Sequence, residues 1–496
     1  MTAKRRLLGW LERNAGGVFA ALGVATLLAY GLLWLWPLWL GRFEPFAGNA
    51  RYVGSILGYS VSGFSQFALA AIVPSLLYLA ALLLFPRAPL PRALPVIVAV
   101  TVLAPLLLLA TYPALAADVF GYLMYGRIVS EYDGNPYIDT ANTFPNDPYF
   151  PPVGGDWRDY PAPYGPVWVW VSALVTWLAG GQQLAALLGI KLIVTLAHLA
   201  VAALVWLLAR EITGSERRAA WALLAYGWNP FAITHFALDA HNDAVMLLFL
   251  LAAIWFMRRR RPDLAFPALA LSVLVKFVPL LLAPLFLLAA RHQPRRALVG
   301  IVASLGLTVL LYLPLWEGLD TFDAVREQSG LMTSSPQALL HYYVNDAWLC
   351  PLSLAVFGLG YLLILWRLRS LEARSYAAIV LYYFALSSWT KGWYFTWALA
   401  FGAVLGGPAF AAAGLAGFGV FLQNMTAWGW EMDVFGWASR YGVPFWEWWL
   451  TWTLYMPWLL VAGWGLVRRL RTWSHPVENT SPTPPLHGVH GRTDSG

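Results

Sequence analysis

Asp118 stands directly after an apolar run and opens VFGYLMYGR, in which Tyr122, Tyr125 and Arg127 lie within one or two helical turns of it. A carboxylate so placed can accept a proton from an attacking hydroxyl while neighbouring donors hold a phosphate. The plainer job for the same residue is to cap the helix expected over 119–130, and the two roles are compatible. Arg127 would grip a phosphate through paired N–H groups, or else pair with a loop acid. A second polar concentration, NPFAITHFALDAHNDAV at 229–245, carries His235, Asp239, His241, Asn242 and Asp243. Asp239 and Asp243 share a face if helical. The set suits acceptor positioning or a capped hairpin. A divalent metal is the lesser reading, because the spacing matches no strong ligand motif. Neither a metal nor an organic cofactor is expected.

Two lysines break otherwise apolar stretches. Lys276 is the sole charge of ALALSVLVKFVPLLLAP, and Lys391 lies in SSWTKGWYFTW beside Trp389, Trp393 and Tyr394. A lysine in such a run is costly unless paired or snorkelling, so both are assigned to a phosphate, with neutralisation of a loop acid as the alternative. Tyr164 sits in PAPYGPVW, where flanking prolines constrain the backbone. It would face a sugar ring or a prenyl chain, or serve as an interface anchor. Trp428, Trp430, Trp437, Trp446, Trp448 and Trp449 read first as anchors and second as a sugar cleft.

The elements that position these residues are apolar. With 496 residues, 59% hydrophobic, 11% charged and a mean hydropathy of +0.60, the chain is expected to be an all-α polytopic membrane protein. Runs at about 18–40, 62–85, 93–110, 190–208, 219–236, 243–257, 297–313, 348–366, 375–389, 393–407, 409–424 and 448–467 read as spans. Two short helices within 264–290, broken at Lys276 and Pro279, bring the total to about fourteen, in a range of roughly eleven to fourteen. The run 168–180 is short and bounded by Pro166 and Gly180, and reads as juxtamembrane or re-entrant. The expected organisation is N-terminal helices over 1–110 and a polar loop with juxtamembrane helices over 111–189. A helical core follows over 190–471, with outer loops at 314–347 and 425–447, and then a disordered tail over 472–496. The polar loop holds Asp118, Glu131, Asp133, Asp139, Asp147, Asp156 and Asp159.

The formal charge of +7 is distributed like a topology signal rather than a nucleic-acid footprint. Loops placed inside hold most of the Lys and Arg, including Arg258 to Arg261, but few acids. Both termini are therefore expected in the cytoplasm and the polar loop on the outer face. MTAKRRLLGW reads as the start of a retained first helix rather than a signal peptide. Cys350, the single cysteine, can form no internal disulfide.

The DVFGYLMYGR, GNPY and PAPYGP elements of the loop, the HNDAV hairpin and VKFVPLLLAP together resemble the integral-membrane GT-C glycosyltransferases. They most resemble the polyprenol-phosphate-mannose-dependent alpha-1,6-mannosyltransferases of actinobacteria, over roughly Asp118 to Lys391. The resemblance implies a multi-span fold whose first large outer loop carries an essential carboxylate, here Asp118 by position. It also implies a polyprenyl-phosphate sugar donor, inversion at the transferred sugar and, in many members using monophosphate donors, no metal. Many GT-C members pair two acids in this loop, whereas Asp118 is flanked by Ala117 and Val119, which leaves Asp239 or Asp243 as candidates for a second carboxylate. The resulting expectation is an inverting glycosyltransferase moving a hexose, mannose in first place, to a saccharide or glycolipid acceptor. The competing classes are a transporter or flippase of lipid-linked saccharides and a non-catalytic assembly scaffold.

Overall fold

The computed structural model describes residues 3–431, 448–449 and 451–465. The expected tail over 472–496, the stretch 432–447 of the expected outer loop, and Trp437 and Trp446 lie outside the described residues. Helices dominate throughout, and among the described residues no strand forms. Among the described residues seven helices are long and apolar enough to cross a bilayer, and an eighth span is counted if Pro230–Leu238 and Asp243–Arg258 form one bent span. The molecule is thus an all-α membrane protein. On Pro294–Tyr312 the exposed Leu298, Val302, Leu305 and Val309 recur at helical spacing, as they do where lipid replaces water as the solvent.

Among the described residues the long spans number fewer than the expected eleven to fourteen, because several apolar runs fold as shorter pieces and the 448–467 run is described only in part. The 219–236 run divides at Asn229-Pro230, so that Glu216–Gly227 is followed by a short helix, Pro230–Ile233, and a π turn, Thr234–Leu238. Pro166–Ala179, Pro262–Val273, Val278–Ala290 and Gly392–Leu405 are apolar but shorter than the length a lone span needs. Two breaks occur where the sequence places them. Lys276 lies in the gap between Pro262–Val273 and the 3-10 turn Val278–Leu282, and Lys391 lies between Leu371–Ala385 and Phe395–Leu405.

The polar loop is built on the helix Asp118–Tyr132, which packs against Pro166–Ala179 at such close range that a Cβ on Gly126 would fall 2.4 Å from the Ser172 carbonyl oxygen. The helix ends at Asp133, in the left-handed conformation with φ 48°. GNPY then forms a turn in which Asn135 N donates to Asp139 Oδ2 at 2.8 Å and Tyr137 N donates to Asn135 Oδ1 at 3.1 Å. The Tyr137 hydroxyl donates to the Tyr164 carbonyl at 3.0 Å, tying this turn to PAPYGP. That strap in turn is stitched to the Lys276 break. Gly165 N donates to Val275 O at 3.2 Å, and Val167 N to Leu274 O at 3.0 Å. A Cβ at residue 165 would sit 2.2 Å from the Leu274 oxygen, so the approach requires glycine.

Candidate active site

A cavity of about 810 Å³ opens between the polar loop, the Lys276 break and the Lys391 break. Of the residues singled out by sequence, Asp118, Tyr125, Tyr164, Lys276, Trp389, Lys391, Trp393 and Tyr394 line it. Tyr122, His235, Asp239, His241, Asn242 and Asp243 form a buried layer behind that wall. Arg127 is not brought to the cavity. Its Nε and Nη2 donate to Asp147 Oδ2 at 3.1 and 2.8 Å, and its Nη1 to Glu131 at 3.0 Å. Asp147, itself buried, also accepts from the Tyr132 hydroxyl and from Tyr149 N. Arg127 is thus paired with loop acids, which braces the loop.

Asp118 is the first residue of its helix, and its side chain, 24% exposed, is open to the cavity on one side. On the other side Oδ2 lies 3.6 Å from His241 Nδ1. His241 is held by its ring, which stacks on Trp393 with centroids 3.8 Å apart and planes 18° apart. Burial alone would raise the Asp118 carboxyl, but the neighbouring His241 ring and the charges of Lys391 and Lys276 hold it below its ordinary value. The group is a carboxylate at neutral pH, the form a proton acceptor requires.

The two lysines are held differently. Lys276 Nζ is 2.9 Å from Asp243 Oδ1 and lies over the rings of Tyr394 and Trp397, 4.2 and 5.3 Å from their centroids. Trp397 Nε1 donates to the same Asp243 oxygen at 2.6 Å. Asp243 is thereby the partner that makes a lysine affordable here. Lys391 Nζ lies over Trp389, 3.9 Å from the ring centroid. Burial pushes its ammonium below its ordinary value, against the pull of Asp118. Both cations reach Asp118 electrostatically across the cavity.

Aromatic and apolar groups complete the wall. Tyr122 packs edge-on against Tyr164 and Trp168, each with ring centroids 5.1 Å apart, and fixes the floor on which Tyr125 and Tyr164 rest. Trp157 meets Trp389 edge-on at 6.0 Å, linking the loop to the Lys391 break. Val278, Val325, Met332, Leu349, Leu354 and Leu386 give the cavity an apolar side. Sequence reasoning passed over Trp397 and Trp157. Trp397 was accessible in principle, since it stands four residues after Trp393 and so shares its helical face. Trp157 carried no periodic signal. Lys191 was missed too: buried in Gln183–Thr213, it donates to the carbonyls of Thr111 and Leu238 at 2.5 and 2.9 Å.

The bent helix pair Pro230–Leu238 and Asp243–Arg258 supplies the buried layer. Its halves meet at 117°, and Ala240 at the bend has φ 60°, a left-handed conformation that costs a non-glycine residue energy. Asp239 Oδ1 accepts from Leu115 N at 3.0 Å and so anchors the bend to the segment leading into Asp118.

Residues 20–292 match a family model described as alpha-(1->6)-mannopyranosyltransferase, N-terminal domain. The chain is 26% identical over 182 residues to alpha-(1->6)-mannopyranosyltransferase A of Corynebacterium glutamicum, covering 36% of each chain. It is 33% identical over 158 residues to an alpha-(1->6)-mannopyranosyltransferase of Mycobacterium tuberculosis, covering 31% of this chain and 25% of the relative. A probable alpha-(1->6)-mannopyranosyltransferase of Mycolicibacterium smegmatis is 31% identical over 157 residues, covering 31% and 27%. The matched stretches thus span about a quarter to a third of these curated relatives.

Proposed function

The chain belongs to the alpha-(1->6)-mannopyranosyltransferase family, and from that membership we propose that it transfers mannose from a polyprenyl-phosphate donor to a saccharide or glycolipid acceptor. The observation that carries this reading is that Asp118, the one carboxylate lining the cavity among the described residues, faces Lys391 and Lys276 across an aromatic-lined cavity that also has apolar lining. In this reading the polyprenyl tail lies along Val278, Val325, Met332, Leu349, Leu354 and Leu386, and its phosphate is held by Lys391, with Lys276 as the second cation. The acceptor enters from water and stacks a sugar ring on the Tyr125, Tyr164 and Trp389 side.

Asp118 takes the proton of the acceptor hydroxyl as that oxygen forms its bond to the anomeric carbon. The bond between the anomeric carbon and the phosphate oxygen breaks with its electron pair on the phosphate, whose charge the lysines offset. One displacement inverts the configuration. The leaving phosphate is a weak base and needs no acid to protonate it, so the reaction does not require the second carboxylate that paired-carboxylate hydrolases use. His241 keeps Asp118 ionised and oriented. The excess of basic residues in the opposite loops supports a reaction on the outer face.

The test is to reconstitute the protein in lipid vesicles with polyprenyl-phosphate-mannose and an oligomannoside acceptor. Formation of an extended oligosaccharide with an inverted linkage supports the proposal. Movement of the donor across the bilayer without transfer overturns it in favour of a flippase.

A further inference from the structure

Behind the cavity, His235, Asp239 and His241 each direct a ligand-type atom into one buried spot, and these atoms all lie within 4.8 Å of one another. The three side chains are at most 3% exposed. Both nitrogens of His235, both nitrogens of His241 and Asp239 Oδ2 are buried with no hydrogen-bond partner. Buried polar groups ordinarily find partners, so this concentration of unmet atoms at one spot calls for an occupant. His235 Nδ1 lies 3.8 Å from Asp239 Oδ2, too far for a hydrogen bond.

We propose that this spot is a structural metal site for a first-row divalent cation, Zn2+ in first place, held by His235, Asp239 and His241. Two imidazoles and one carboxylate are a nitrogen-rich set that suits Zn2+ and its neighbours and not Ca2+ or Mg2+, which want oxygen. The surroundings fit ligand duty. Asp239 Oδ1 is fixed by the Leu115 amide, which leaves the unpartnered Oδ2 for the ion. Nδ1 of His241 faces Asp118, an outer carboxylate of the kind that orients metal-bound imidazoles. Lys191, a buried cation felt by Asp239, is engaged by the carbonyls of Thr111 and Leu238. Binding requires the three side chains to close from their present spacing to bonds of about 2.0–2.2 Å. The ion would join Asp239 and His241 across Ala240, whose left-handed backbone needs support from its surroundings. None of the three ligands lines the cavity, so the ion acts on the fold of the bent span and on the seating of Asp118, not on the sugar.

The full-length protein, purified in detergent and stripped with a chelator, is titrated with Zn2+ alone, and bound metal is counted by elemental mass spectrometry. One equivalent should bind, and it should raise the melting temperature of the unmutated protein. Co2+ in its place should give the visible absorption bands of a low-coordinate nitrogen and oxygen site. Asp239→Asn, which keeps an oxygen for Leu115 but loses the charge, should weaken Zn2+ at least tenfold. Failure of the unmutated protein to retain metal, or to change its melting temperature with Zn2+, overturns the proposal. So does undiminished binding by folded Asp239→Asn, which places the ion elsewhere. No donor or acceptor is present, so the result is independent of the sugar-transfer reading.

Discussion

At the scale of single residues, the account rests on how a carboxylate and two cations are kept charged in a mostly apolar place. Asp118 is held below its ordinary value and Lys391 below its own, which sets a pH profile. The base works when deprotonated, so transfer should persist as pH falls to the ordinary carboxylate range and fail only beneath it. The cation works when protonated, so the alkaline limb should fall below the ordinary lysine value of about 10.4. An initial-rate profile with polyprenyl-phosphate-mannose checks both limbs. His241→Phe should move the acid limb upward, and an unmoved limb would sever His241 from Asp118. Asp243 makes a different prediction. It is fully buried and holds Lys276 and Trp397, so Asp243→Asn leaves a largely buried ammonium without its counter-ion. Loss of such a partner costs about 3–5 kcal/mol, to be read as a lowered unfolding midpoint in detergent. Much of this layer was legible in sequence. Lys276 and Lys391 stood out as isolated charges, and Asp118 as the polar end of an apolar run. Their partners were not legible, because Asp243 meets Lys276 only after an intervening helix folds back, a contact that no local spacing encodes.

At the scale of elements, broken helices do the positioning. The Lys276 break, the Lys391 break and the bent span at Ala240 put irregular backbone beside the cavity, where protein groups meet its hydrogen-bonding needs. Proline and glycine announced the first two breaks. The 117° bend was hidden because THFALDAHNDAV reads equally well as two spans joined by a polar hairpin. PAPYGP signalled a constrained strap, but its docking on Leu274 and Val275 is a contact between segments over a hundred residues apart and leaves no trace in composition. That docking is testable. Gly165→Ala would drive a Cβ to 2.2 Å from the Leu274 oxygen, and backbone on both sides cannot yield cheaply. The variant should lose on the order of 1–3 kcal/mol of stability, the usual cost of overpacking. It should also lose transfer activity, since the strap and Lys276 move together. A melting curve and an activity measurement on the same preparation decide it; an unshifted melting point would show that the strap is not held as described.

At the scale of the whole molecule, the long apolar helices, seven among the described residues, carry the protein in the membrane, while shorter apolar helices contribute to the site. The expected fourteen spans counted hydrophobic runs, and a run of twelve to fourteen apolar residues looks the same in sequence whether it crosses lipid or packs inside protein. The all-α membrane class was legible for the complementary reason, that nothing but lipid-facing helices accommodates so many exposed Leu, Val and Trp. Orientation can be read from Cys350, the single cysteine, which is exposed and lines the cavity. A membrane-impermeant maleimide added to intact cells should label it, and polyprenyl-phosphate-mannose should protect it. Labelling only after lysis would place the cavity on the cytoplasmic face.

The central claim, that Asp118 is the base, is tested most directly by single-turnover mannose transfer with Asp118→Asn in lipid, donor binding being measured on the same sample. Removing a positioned general base should slow transfer by about 10²–10⁴ with donor affinity retained. Transfer within a few-fold of the unmutated protein, at equal donor occupancy, would contradict it.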